Sequence, residues 1–239
     1  MKHQIENRQL LAAAEEGMAQ ELDRLLAVAG IEVNMGDEYG RTPLHHAAGN
    51  GHADCVARLL SVPGIEVNAQ DEFEEMPLHY AAQNGHERCV ELLLGAPGIR
   101  VNARSRYVYS ALHYAVLNGN ADCVKLLLGV PGVDVNVLDI AGRTPLHLSA
   151  RNGLTDCVRL LLAHPGCDAQ VADDSNSVPL HYAAHYGHAD CVRQLLKVPG
   201  IGVNQENWLG FTPYDLAILV NSEECSSLLL SSGVVNEQG

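Results

Sequence analysis

The hexapeptide GHADCV stands at Gly51–Val56 and again, unchanged, at Gly187–Val192. Each copy brings a histidine, an aspartate and a cysteine within four residues: His52, Asp54, Cys55 and His188, Asp190, Cys191. Three readings are open. The trio is a thiolate nucleophile beside its base, half of a metal site with sulfur and nitrogen donors, or a piece of helix with no chemistry. What surrounds the two copies decides between them.

The copies belong to a repeat. Six of the seven cysteines, Cys55, Cys89, Cys123, Cys157, Cys191 and Cys225, step by 34 residues; Cys167 alone is out of phase. Pro43, Pro77, Pro145, Pro179 and Pro213 share one phase, with Ala111 filling the gap. His45, His79, His113, His147 and His181 share another, and Pro-Gly recurs from Pro63 to Pro199. Such periodicity marks a stacked array rather than a globule with one long-range core. Within the array the trio dissolves. The place of His52 is taken by Asn120 and Leu154, and that of Asp54 by Arg88, substitutions no catalytic or ligating role accepts.

Each unit predicts two short helices and a projecting turn. TPLHHAA at Thr42–Ala48 puts proline in a first helical turn, where its missing N–H is harmless. GNG breaks that helix. In ADCVARLL the apolar Cys55, Val56, Leu59 and Leu60 form one stripe on a second helix, and SVPG ends it. Neither helix buries its face alone, so neighbours must stack. Equivalent positions on stacked helices lie about 8–10 Å apart. A disulfide needs Cα atoms within about 7 Å, and zinc thiolates sit closer still, at about 2.3 Å from the ion. The cysteine ladder therefore cannot pair with itself.

The units resemble ankyrin repeats, whose signature is T-P-L-H-x-A. Thr42–Ala47 and Thr144–His147 match directly; Met76–Ala81 and Val178–Ala183 lack the threonine; Ser110–His113 lacks threonine and proline; Thr212–Asp215 is a terminal variant. The resemblance implies an all-α solenoid of about seven helix–turn–helix units with projecting β-hairpin turns and polar end caps. The boundaries read 1–36 for an N-terminal cap, 37–70, 71–104, 105–138, 139–172 and 173–206 for full units, and 207–239 for a C-terminal cap and tail, all one domain. It implies that the in-phase histidines hydrogen-bond backbone near the hairpins. It also places the cysteines where this family usually carries Ile or Val, as small buried hydrophobes. Cys167, in the loop HPGCDAQ, is the one expected to be exposed and reactive. Asn34, Asn68, Asn102, Asn136 and Asn204 recur in phase as turn asparagines, with hydroxylation as the other reading.

Composition narrows the partners. Net charge is −14, which repels phosphate backbones and sets nucleic acid aside in favour of basic partners. No run of 18 apolar residues offers a membrane span, and the polar start MKHQIENRQ leads into no signal core. An odd cysteine count suits a reducing, intracellular and cytoplasmic setting.

Binding falls to the concave face that turns and first helices line in the resembled family. Tyr39, Phe73, Tyr107, Tyr109, Trp208 and Phe211 lie in turn segments; Tyr80, Tyr114, Tyr182, Tyr186 and Tyr214 accompany first helices. Tyr80, Tyr114 and Tyr182 share a phase, which suits stacking as well as binding. The turns at Asp37, Glu38, Asp71, Glu72, Glu74 and Glu75 are acidic, whereas RSRYVYS carries Arg104 and Arg106 and has lost the Asp, Gly, Thr and Pro of its siblings. Functional demand and drift both explain that loss. The candidate partner-binding residues are Tyr39, Phe73, Arg104, Arg106, Tyr107, Tyr109, Tyr114, Arg143, Arg151, Tyr186, Trp208 and Phe211. The expected function is a non-catalytic protein-interaction module holding a protein or peptide, without cofactor. The competing classes are a self-associating structural protein and an enzyme, the latter opposed by the broken trio and the lack of a phosphate loop or H-E-x-x-H. The polar cap residues, Lys2, Gln4, Glu6, Asn7 and Gln9 at one end and Glu223, Glu224 and serines at the other, predict a monomer.

Overall fold

The computed structural model describes residues 2–233, with side chains from residue 4. The Lys2 side chain and the tail VVNEQG, which the sequence suggests is loose, lie outside the described residues. The chain divides into two compact units, residues 1–133 and 134–239. The first holds four helix pairs: α1 (Lys2–Glu15) with α2 (Ala19–Leu26), α3 (Pro43–Gly49) with α4 (Ala53–Leu60), α5 (Pro77–Gln83) with α6 (Glu87–Leu94), and α7 (Ala111–Leu117) with α8 (Ala121–Leu128). The second holds three: α9 (Pro145–Arg151) with α10 (Thr155–Ala163), α11 (Pro179–His185) with α12 (Ala189–Leu195), and α13 (Pro213–Leu219) with α14 (Glu223–Ser231). Within each unit, first helices pack on first helices and second on second. No described helix is long and apolar enough to cross a membrane.

A seven-residue helix is marginal in water, so its ends and neighbours must hold it. In α3, Pro43 opens the first turn, and the backbone N–H of the N-cap Thr42 donates to His45 Nδ1 at 3.0 Å. Thr144 adds a second capping bond by accepting the His147 N–H at 3.4 Å. On α4, Cys55, Val56 and Leu59 are fully buried, while Leu60 is half-buried at the outer edge. Each buried leucine contributes about 1.5–3 kcal/mol before chain entropy is charged.

The projecting segments are tight turns, and no described residue is in a strand. Each turn closes on itself, as in Asp71 N–H to Glu75 O at 3.0 Å, with Asp71 Oδ1 also accepting from Phe73 and Glu75. Within each unit one backbone bond ties a turn to the next, for example Arg106 N–H to Phe73 O at 2.8 Å and Trp208 N–H to Ser175 O at 3.0 Å. A single bond per neighbour does not make a ladder, so the expected β-hairpins shrink to their turns.

Polarity at the C-terminal end differs from the sequence expectation. Glu223, Glu224 and Ser227 are exposed, yet so are Ile218, Leu219, Val220 and Leu230. The serines and glutamates of α14 masked an apolar end to α13, because exposure there depends on whether another helix lies over it.

Candidate interaction surface

The titratable residues that opened the question are structural. The six ladder cysteines are unpaired and buried. Burial pushes the thiols of Cys89, Cys123 and Cys157 up to about 11, far from the thiolate that chemistry requires. Cys167 departs from expectation. It is half-buried, and burial, then the nearby Asp168 charge, raises its thiol to about 11. The loop around it is exposed at Pro165, Gly166 and Asp168, but the Cys167 side chain itself is partly covered and not activated.

The in-phase histidines use both ring nitrogens. In His45, His147 and His181, Nδ1 accepts the N-cap N–H of its own helix. Nε2 therefore carries the proton and donates to the turn of the next repeat: Glu75 O at 3.0 Å, Ser177 O at 3.0 Å and Phe211 O at 3.2 Å, respectively. His79 does the same toward Ala103 O at 3.0 Å. Sequence reasoning missed a second set running the other way. His52, His86 and His188 reach back to the end of the preceding first helix, at Glu15 O, Gly49 O and Arg151 O, 2.9–3.0 Å away. Asn120 replaces this bond with two from its amide, to Ala82 O and Gln83 O, which is why it stands in for histidine. The in-phase asparagines also bridge repeats. Asn68 Nδ2 donates to Gly98 O at 2.8 Å and its Oδ1 accepts from Arg100 N–H at 2.9 Å. That is the turn-stabilising role.

Part of the acidic and aromatic surface is likewise internal. Asp71 and Glu75 are buried, accepting hydroxyl bonds from Tyr80, at 2.6 Å, and from Tyr114. Tyr182 donates to Asp173 in the same way. Each of these rings sits edge-on to the histidine of the preceding repeat, centroids 5.8 Å apart. Tyr114 is therefore withdrawn from the binding set: it is a buried strut. Arg143 goes with it, since its guanidinium grips the buried Asp139 carboxylate at 2.7 Å inside one turn. Burial works against the Asp139 charge, but the Arg143 bonds outweigh it and hold that carboxyl below its usual value.

What remains exposed clusters by unit. In the first, Tyr107 stacks on Phe73 at 6.3 Å, Tyr109 meets Tyr114 edge-on, and Arg104 and Arg106 stand in solvent beside them. Arg41 lies over the exposed Tyr39 ring at 4.9 Å. Val108 carries this turn at φ +66°, where its siblings Gly40, Gly142 and Gly210 have glycine. A β-branched residue there is strained by roughly 1–3 kcal/mol. In the second unit, Arg151 lies over Tyr186 at 5.6 Å. Trp208 is 74% exposed although its indole N–H donates to Asp174 O at 3.0 Å, and Phe211 is half-buried behind it. Ile140 and Leu209, 75% and 79% exposed at turn tips, were overlooked because only aromatics and arginines were sought. For Ile140 the signal was an aliphatic residue at a turn phase where Glu38, Glu72, Arg106 and Asp174 are charged; Leu209 stands at the phase of Tyr39, Phe73 and Tyr107, which already marked it as a place for large apolar side chains.

The residues 10–105, 104–173 and 165–238 match a family model described as "Ankyrin repeats (3 copies)". The chain belongs to the ankyrin-repeat family. Among solved structures it resembles the ankyrin repeat domain of Bcl-3, described as a unique member of the IkappaB protein family, at 29% identity and a TM-score of 0.81. That match covers 92% of this chain and 97% of the other. The human ASB11 ankyrin repeat domain is 27% identical with a TM-score of 0.80, covering 95% and 98%. No curated protein matches the sequence. Ankyrin repeat domains are typically protein-interaction modules and are generally non-catalytic.

Proposed function

We propose that this ankyrin array holds a partner protein or extended peptide against the face formed by its turn tips and first helices, as a scaffold, adaptor or inhibitor. The observation that carries this is Trp208. A buried-sized ring stands three-quarters exposed, yet its N–H is fixed to the neighbouring turn, so little ordering entropy remains to be lost on binding. Exposed, immobilised aromatics and arginines are the side chains that dominate interface energies. Ile140 and Leu209 supply apolar area on the same unit, and Phe73, Arg104, Arg106, Tyr107 and Tyr109 form a second cluster on the other. Tyr39, Arg151, Tyr186 and Phe211 complete the set. Exposed Glu38, Glu72 and Glu74 favour a partner with a basic patch and speed its approach. Unpaired thiols suit a reducing, cytoplasmic setting.

Pull-down by the wild-type chain, compared with a Tyr107/Tyr109/Trp208/Phe211 alanine variant, identifies the specific partner. Titration of that partner then gives the magnitude. Trp208→Ala is expected to cost about 2 kcal/mol of binding or more with the thermal midpoint unchanged. Equal affinity of the wild type and both variants would defeat the reading.

A further inference from the structure

The end of α3 lacks the side chain that every other first helix carries there. At this phase stand Glu15, Gln83, Leu117, Arg151, His185 and Leu219, and α3 has Gly49. A Cβ built on Gly49 would touch Tyr80 at 3.4 Å. The missing side chain leaves a notch of about 190 Å³ against that ring, lined also by Glu15, Arg41, Asn50 and Asn84. Arg41 and His46 both bind the Asp37 carboxylate, at 2.8 and 3.1 Å, so the arginine is neutralised within its own turn. Glu15 is exposed on the rim and has no ion pair among the described residues, and the buried Asp71 accepts the Tyr80 hydroxyl at 2.6 Å. Together they leave the notch with an excess of negative charge. Asn50 and Asn84 turn their amide N–H groups to Glu15 O and Gly49 O, at 3.2 and 2.8 Å, which leaves their Oδ1 atoms as acceptors. The 14-residue α1 also ends at Glu15, and a helix C-terminus favours a cation.

The second unit repeats the arrangement with the place filled. Asp139–Arg143 corresponds to Asp37–Arg41, and Asp173–Tyr182 to Asp71–Tyr80. Arg151 stands where the first unit has Gly49. Its guanidinium lies over the Tyr186 ring at 5.6 Å. Burial, then the Asp173 bond, raises the Tyr182 phenol, and the charges of Arg143 and Arg151 act against that rise.

We propose that the notch at Gly49 receives an arginine side chain of the partner, so that the bound segment supplies in the first unit the guanidinium that Arg151 supplies in the second. The inference rests on the reading that partners lie along the turns and first helices, and it names a side chain such a partner carries. A guanidinium fits better than an ammonium. It is planar, stacks on an aromatic ring such as Tyr80, and its fork of N–H donors matches the Glu15 carboxylate and the two asparagine oxygens. A carboxylate guest would find Arg41 already engaged and Glu15 opposing it.

Amide NMR of the full 239-residue chain, titrated with N-acetyl-arginine methylamide, tests this. Saturable shifts centred on Asn50, Tyr80 and Asn84 are expected, with a dissociation constant on the order of millimolar for a single side chain. The lysine analogue should bind more weakly and the glutamate analogue not at all. Gly49→Arg copies the second unit and should abolish the shifts. Gly49→Gln copies Gln83 and should weaken binding about tenfold or more. Neither should lower the urea midpoint, since glycine is the weaker helix former. Glu15→Gln, at an exposed site, should weaken binding about two- to fivefold. Trp208→Ala, which tests the docking face, should leave this titration unchanged, so failure of the face and failure of the notch are told apart. No saturable shift at the notch, equal binding of the glutamate analogue, or undiminished binding in Gly49→Arg would overturn the proposal.

Discussion

A histidine with both nitrogens committed to backbone has no room for a second proton. Burial, offset in part by the bond to Glu75 O in one case and Ser177 O in the other, holds His45 and His147 near 4 against an ordinary 6.5. Burial lowers His79 and His181 as well. Between about 6.5 and about 4 the unfolded chain therefore binds more protons than the folded one, and stability must fall as pH drops through that window. His45 and His147 each contribute at most about 1.4 kcal/mol per pH unit inside that window and nothing further below it. Urea titrations at pH 7 and pH 5 should show the loss, and His147→Gln should reduce the pH dependence while lowering stability at pH 7. The forward-reaching histidines were legible because T-P-L-H fixes them three residues past the cap. The backward-reaching ones were not, because a residue opening a helix gives no sign of a carbonyl one repeat away.

At the scale of the element, glycine and histidine explain one another. Gly51 breaks α3 from α4 at φ +77°, and a Cβ there would lie 2.6 Å from Nδ1 of His86, the residue that reaches back to Gly49 O. Gly51→Ala should cost about 2 kcal/mol or more, from backbone strain and collision together. In a His86→Ala background the collision vanishes, and the added cost of the alanine should shrink to about 1 kcal/mol, a coupling that a double-mutant cycle by urea unfolding reads directly. Helix pairs were legible element by element, since proline at the start, glycine at the break and an apolar stripe each have one local meaning. The hairpin strands were overread: a turn joined to its neighbour in the same unit by one backbone bond has the sequence of a hairpin without the ladder. The site was half legible. Trp208 and Tyr107 stand exposed where their irregular phases suggested. Tyr114 and Arg143 do not, because a side chain's charge or ring says nothing about the buried carboxylate waiting beside it.

For the molecule as a whole, 29 acidic residues face 15 basic ones, and several of the basic ones are spent on neighbours within a helix or turn, as in Arg24–Glu21, Arg88–Glu91 and Arg143–Asp139. The uncompensated negative charge repels itself in the folded state more than in an expanded chain. Raising salt from about 10 to about 200 mM should therefore raise the urea midpoint without altering the slope of the transition, since the Debye length shrinks below typical surface separations while the area exposed on unfolding stays the same. That the chain is an array was fully legible from its period. That one end of it is greasy was not, because composition was weighed on α14 while the outcome was set by what lies over α13.

The thiol ladder has a practical corollary. One cysteine sits in the second helix of every repeat but the first, sealed in the same way each time, so alkylation of the native protein can proceed only as fast as individual layers come apart. Mass spectrometry of partly labelled chains would then rank the layers by how readily they separate, a map of local opening obtained without altering a single residue.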